Sequence, residues 1–522
     1  MTSIVPRPVS AAPAAPPVLS YGPPRLLAGL TPGSFPGGGR LDRVGHLTVH
    51  GTLPRLDAWE LVDLAENTAL HGRGGAHFPV AYKLRAVIEA AARGGRARTA
   101  VVVNGTEGEP SCLKDTALLL RAPHLVLDGA ELAVDALGAE RLCVGVTRKD
   151  VAASVRAAVA ERGPRRPVAE VRQLPERFVT GESSALVSGL GQGPALPTGS
   201  RIRTSDSGLD GLPTLLSNAE TFAQLAVAGR LGALGFRDVG LPDEPGTVLL
   251  TVAGSHVLEV PTGVPLPYVL GLCGSHPGQG VLVGGYHGRW LDPRSAWQAR
   301  IADASLEGLG SRLGAGAVLP LPVETCPVGE TLQVVRWLAA ESAGQCGPCV
   351  IGLPALADEL ERAAAGPRGQ PGAGAAALRG LRARTEAVKK RGACSHPDGT
   401  AGFVESALDV FATDFRRHAE GDGCGRPVLG ALPVPVQESR APGSRALGPG
   451  APGDDRRTDL RLVVDWVRCQ GHGLCAGAAP DLVELSGDGY PTRADYGVPQ
   501  RLGRQATRAV RRCPALALRV EK

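Results

Sequence analysis

The chain has 522 residues and a formal net charge of +5, with 43% hydrophobic and only 4% aromatic residues. That length suits three or four domains, and so small a positive charge leaves no electrostatic footprint for nucleic acid. No apolar run reaches the ~18 residues of a membrane span, and eleven cysteines without a secretory leader favour cluster or metal ligation in a reducing, cytoplasmic compartment over disulfides.

Residues 1–45 are rich in Pro, Ala and Gly and are expected to be disordered. From Asp57 to Leu70 apolar residues recur at helical spacing, and Gly72-Arg73-Gly74-Gly75-Ala76-His77 follows at once. Three glycines in four positions let a backbone close on a ligand with its N–H groups turned inward, the concavity that binds phosphate. Lys83 and Arg73 supply charge for it, although a solvated glycine-rich turn with two cations would carry the same letters. Val101-Val102-Val103 then reads as a buried parallel strand that releases Asn104-Gly105-Thr106-Glu107-Gly108-Glu109-Pro110 at the edge where open α/β sheets bind ligands. Helices over 115–120, 125–137 and 151–161 alternate with strands over 141–146 and 168–174. Beyond Pro245 the texture changes to short β-runs, Thr247–Val252 and Val281–Val283, between glycines and prolines.

A helix from Glu330 to Ser342 ends at Gly344, and Cys346-x-x-Cys349 follows, with Cys394 after a further helical stretch. Thiolates this close in sequence take neighbouring irons of a cluster, whereas zinc wants four ligands and only three are evident. Phe403, Val404, Leu408, Phe411 and Phe415 form one amphipathic helix, and Arg416-Arg417-His418 suits the dipole at its end. Residues 421–459 read as a linker. After the strand Leu462–Asp465 comes Cys469-Gln470-Gly471-His472-Gly473-Leu474-Cys475, and far downstream Cys513-Pro514. This is the spacing of a single-cluster bacterial ferredoxin with His472 in the central ligand position, and it also meets the ligand count of a zinc site. Arg501, Arg504, Arg508 and Arg511 share one helix face, either solvated or a docking surface for an acidic partner.

Residues 50 to 418 together resemble the flavin-bearing, NADH-oxidising subunit of respiratory complex I, with related subunits in NAD-linked hydrogenases and formate dehydrogenases. The glycine loop, the 104–110 loop, Phe178–Ser183, Ser217–Thr221, Glu341–Cys349 and Cys394 carry the resemblance. It implies FMN bound by Gly72, Arg73, Gly74, Lys83, Asn104, Glu107, Gly181, Glu182 and Asn218, with Glu109 as the catalytic residue that orients the nicotinamide of NAD(H). It also implies a [4Fe-4S] or [3Fe-4S] cluster on Cys346, Cys349 and Cys394. The family's remaining cluster cysteine is Ala343 here, so Cys326 or Ser342 stands in as fourth ligand, or none does. His77 replaces a third glycine, Thr106 an Asp, Ser183 a Glu, Ser217 an Asn and Arg203 a stacking aromatic; these departures touch the nicotinamide contacts more than the flavin phosphate site. The tail resembles small actinobacterial ferredoxins that serve cytochrome P450 enzymes, implying [3Fe-4S], less readily [4Fe-4S], on Cys469, Cys475 and Cys513.

The expected architecture is α/β: a Rossmann-like FMN domain (46–244), a small β-grasp-like domain (245–317), a helical iron–sulfur bundle (318–420), the linker (421–459) and an α+β ferredoxin domain (460–522). The expected activity is NAD(P)H oxidation through FMN and two clusters to a redox-protein acceptor, a cytochrome P450 or another oxidoreductase subunit, with the tail as a tethered carrier. The rival reading is an electron relay or scaffold that has lost NADH oxidation.

Overall fold

Four parallel strands, Thr99–Gly105, Ala139–Val146, Ala169–Gln173 and Thr214–Asn218, organise the first domain of this computed structural model, which describes residues 15–30, 39–94, 98–199, 202–366, 373–435 and 457–521. In space the third strand lies next to the second, then the first, then the fourth. Val101, Val102 and Val103 are buried completely because helices cover both faces of their strand. Strand order reverses between the first and fourth strands, where Asn104 pairs in register with Asn218. That reversal opens a crevice at the carboxyl edge of the sheet.

The second domain is a six-stranded mixed sheet, and its composition corrects two expectations. Its outer strand is Val18–Ser20, parallel to His256–Pro261, so part of the segment expected to be disordered is a sheet edge. The buried Glu259 carboxylate accepts the backbone N–H groups of Arg25, Leu26 and Leu27 at 2.8–3.2 Å and fixes the chain beyond that strand. Ala317–Leu321 is an internal strand, paired with both Thr247–Val252 and Gly280–Val283, and so the sheet runs past the expected boundary at residue 317.

Helices Pro327–Ala340, Leu353–Ala365, Ala373–Val388, His396–Val410 and Ala412–Glu420 make the bundle. The amphipathic helix expected over 403–415 is two helices meeting at Phe411. The expected linker is, over its described residues 421–435, a strap laid back along the bundle. Buried Glu330 accepts from the N–H groups of Leu429, Ala431 and Leu432 at 3.0–3.2 Å, and Cys326 N–H donates to Pro427 O at 2.7 Å. The rest of that linker lies outside the described residues, apart from Arg457–Asp459, which begin the first strand of the tail.

The tail is a three-stranded antiparallel sheet, with Arg457–Val464 between Asp495–Pro499 and Leu518–Glu521, and helices Leu474–Ala478 and Gly503–Arg512 packed beside it. Among the described residues no helix is long and apolar enough to cross a membrane.

Candidate active site and cluster sites

The glycine loop closes on itself through Gly72 N–H to Phe78 O (2.9 Å), and Arg73 N–H anchors it to Thr221 Oγ1 (2.9 Å). Gly74 lies so near the fourth strand that a Cβ there would sit 3.2 Å from Asn218 Cβ. His77 has φ +46°, which explains why a glycine is the easier residue at that position. Lys83 points its ammonium at Leu216 O (3.1 Å) and Ser217 Oγ (3.5 Å), and no carboxylate pairs with it among the described residues. Burial lowers its pKa. Arg73 is buried too, and its Nε finds no hydrogen-bond partner among the described residues. A desolvated ammonium without an anion and an orphaned guanidinium nitrogen at a switch-point crevice fit a phosphate-bearing cofactor.

The other expected cofactor residues do structural work in the crevice wall. Asn104 donates to Gly181 O (2.9 Å) and accepts from Thr106 N–H and Oγ1–H, joining two loops. Glu107 accepts the N–H groups of Asp115 (3.1 Å) and Thr116 (2.9 Å) at the start of helix Lys114–Arg121, while burial and the neighbouring Asp115 push its pKa up to about 7. Glu182 caps helix Ser183–Leu190 through Ala185 N–H. Asn218 caps its own helix through Glu220 N–H and donates to Asp115, and behind it buried Lys114 lies 3.0 Å from both Asp115 and Glu220.

Glu109 is different. It accepts from Ser111 Oγ–H and Tyr286 N–H (2.8 Å), and burial pushes its pKa up to about 7. Gly285, at φ +83°, packs so tightly on this carboxyl that a Cβ would fall 2.4 Å from it. The second domain therefore closes the crevice, and it also grips the glycine loop through His77 Nδ1 to Asp303 Oδ2 at 2.5 Å. Sequence reasoning missed Tyr286 and Asp303; the Gly284-Gly285 doublet was the available signal for the first.

Behind Glu109 an aromatic cluster leads to the bundle. Phe178 stacks edge-on with His287 (4.6 Å between centroids) and Trp337 (5.5 Å), and His287 Nε2 lies 3.1 Å from His396 Nδ1. Burial drives both imidazoles to the neutral form, His396 to about 4. Two residues before His396 is Cys394, which together with buried Cys346 and Cys349 forms the first thiol set, the latter pair with sulfurs 3.4 Å apart. Cys326 lies elsewhere, against His418 at the far end of the bundle, and so is not a fourth ligand here. Ser342 offers its backbone carbonyl to the Arg177 guanidinium (2.9 Å).

Cys469, His472, Cys475 and Cys513 line one cavity in the tail. The tail is docked in this structure: its cysteine loop sits on the first thiol set. Gly347 N–H donates to His472 O (3.0 Å), Arg512 reaches Gln345 Oε1 (2.7 Å), and Arg391 donates to Gln470 O and Gly471 O while covering the Tyr490 ring at 4.8 Å. Leu474, 1% exposed, packs with Cys346 and Cys349 on one side and lines the tail cavity on the other.

Three sequence profiles match in this order: the Nuo51 FMN-binding domain over residues 65–227, the NADH-ubiquinone oxidoreductase-F iron–sulfur binding region over 330–418, and the 4Fe-4S single cluster domain over 462–520. In chain order, a match to a Nuo51-type flavin domain is followed by one to its iron–sulfur region and one to a single-cluster ferredoxin domain. The chain is 28% identical over 388 residues to the F 2 subunit of the NADH-quinone oxidoreductase of Rhizobium meliloti, covering 70% of this chain and 90% of that one. It is 26% identical over 445 residues to the HndC subunit of the NADP-reducing hydrogenase of Solidesulfovibrio fructosivorans, covering 81% and 83%. Among solved structures, the NAD+-reducing [NiFe]-hydrogenase in its H2-reduced state superposes with a TM-score of 0.61 at 26% identity over 72% of this chain, and the chain spans 64% of that hydrogenase chain.

Proposed function

We propose that the chain oxidises NAD(P)H at FMN and delivers the electrons singly through the Cys346/Cys349/Cys394 cluster and the tail cluster to a redox-protein acceptor, such as another oxidoreductase subunit. FMN, when bound, supplies the exchange between two-electron and one-electron chemistry. The chain's own part is to bind, orient and connect. Lys83 and Arg73 would meet the cofactor phosphate beside the glycine loop, and Gly74 leaves room for it. Glu109, a carboxyl that titrates near neutrality in the closed crevice, would position the nicotinamide and hold or release a proton there. The single observation that carries this reading is spatial order: crevice, aromatic cluster, first thiol set, Leu474 and tail cavity follow one another without interruption.

The tail cluster is proposed as a three-iron centre on Cys469, Cys475 and Cys513, one thiolate to each iron, with His472 at the corner a fourth iron would occupy. The test is anaerobic titration of flavin-replete protein with NADH and NADPH, followed by absorption and paramagnetic resonance. Flavin bleaching followed by reduction of both clusters is expected. A flavin untouched by either nucleotide would leave the relay reading standing instead.

A further inference from the structure

Among the described residues, one group of ligand-type side chains lies outside the flavin and cluster sites. Cys326, His418 and Cys424 bring two sulfurs and an imidazole nitrogen within 4.8 Å of one another, although 92 residues separate the first two. A tetrahedral zinc with bonds of ~2.3 Å to sulfur and ~2.0 Å to nitrogen would hold its ligand atoms about 3.5–3.8 Å apart, so small side-chain adjustments suffice.

The surroundings prepare each donor. His418 Nδ1 lies 3.0 Å from Ala364 O, which can only accept, so Nδ1 carries the proton; the Nε2 lone pair accepts the Cys424 backbone N–H at 3.2 Å and lies 3.3 Å from the Cys326 sulfur, so zinc would take the place of that amide at Nε2. Cys326 is the N-cap of helix Pro327–Ala340, and Gly329 N–H points at its sulfur (3.4 Å). The helix N-terminus thus turns its positive end toward the sulfur. Cys424 has the Arg426 guanidinium against it, a positive charge beside the second sulfur.

We infer that Cys326, His418 and Cys424 bind one zinc ion, with solvent in the fourth position, and that the ion clasps the strap 421–435 to the bundle. Binding replaces the two thiol protons, which go to solvent, and no electron is exchanged. The clasp has a reach. Farther along the strap, Pro433 O accepts the Tyr286 hydroxyl, and the Tyr286 amide is the one bound to Glu109.

The test measures zinc and iron by mass spectrometry on full-length, cluster-loaded protein incubated with zinc chloride and desalted. About one zinc per chain is expected. Cys424→Ser and, separately, His418→Gln should lower zinc to background with iron unchanged, whereas Cys469→Ser should leave zinc in place. X-ray absorption at the zinc edge should give two sulfur and two lighter scatterers. Stripping zinc with a chelator should quicken hydrogen exchange of the Leu429, Ala431 and Leu432 amides at least several-fold. Wild-type protein that retains no zinc, zinc that survives both substitutions, or an intact Cys326–Cys424 disulfide in the native protein would each overturn the site.

Discussion

The two ends of the electron path are built from opposite materials. Around the crevice the protein gathers ionisable groups out of water: Lys83, Arg73, Lys114, Glu107 and Glu109 within a few residues of the sheet edge. Where the tail docks, the contact is one leucine flanked by backbone carbonyls, glycines and two arginines. The difference follows from what each place handles. A charged nucleotide and a proton must be met by charge, and desolvation makes that charge strong and tunable. An electron passing between two clusters needs only closeness and excluded water.

The comparison breaks most sharply at Leu474. Leu474→Asp would bury a carboxylate in the apolar contact with Cys346 and Cys349, at a cost of several kcal/mol, and should lift the tail off the bundle. Rapid-mixing spectroscopy should then record normal flavin reduction by NADH and a tail cluster that stays oxidised. At the other end, Lys83→Ala removes a charge-assisted contact of about 1.5–3 kcal/mol, so FMN affinity measured by fluorescence titration of deflavinated protein should fall roughly ten- to a hundred-fold. Electron transfer between the clusters should be unaffected in that variant.

Glu109→Gln sharpens the contrast through pH. Since the folded carboxyl titrates near 7 against an ordinary 4.5, the folded chain holds a proton that the unfolded chain has lost. This group's contribution to stability is therefore full below about 4.5, falls as pH rises toward 7 and is flat above it. The slope of stability against pH, from denaturant melts of wild type and variant, should differ in that window alone, and an inflection near 7 in the rate of flavin reduction should vanish with the carboxyl. The smallest effect belongs to Arg391→Ala. It deletes a cation–π contact of about 0.5–1 kcal/mol and exposed hydrogen bonds to carbonyls, and hydrogen exchange of residues 469–475 should quicken by about tenfold or less.

Much of this was legible in the sequence where side chains follow a pattern. The valine run predicted a doubly covered strand, the glycine spacing a phosphate cradle, and Cys-x-x-Cys and Cys-Pro the two thiol sets. What escaped was held by backbone groups, which leave no letter behind. Glu259 and Glu330 each anchor a Pro- and Gly-rich segment by catching three amides, and such segments read as disorder or linker when the acceptor lies some 100 to 230 residues away. The seat of the tail escaped for the same reason, being built on the carbonyls of Gln470, Gly471 and His472. Cys326 drew attention as a spare cluster ligand because sequence counts cysteines without knowing which end of a bundle they occupy.

The edge strand Val18–Ser20 also bears on how the protein is made. Its hydrogen-bonding partner His256–Pro261 and the carboxylate that fixes residues 25–27 are synthesised some 230 residues later. At ~5–20 residues per second a nascent chain carries this segment unpartnered for roughly ten to fifty seconds, while the first domain can already form. A stretch spaced by prolines can survive that wait without pairing to a neighbouring chain, because proline withholds the amide that a foreign strand would need. The leading segment is thus set only once its partner strand has been made, and a ribosome-bound intermediate cut short before residue 256 should leave it open to protease.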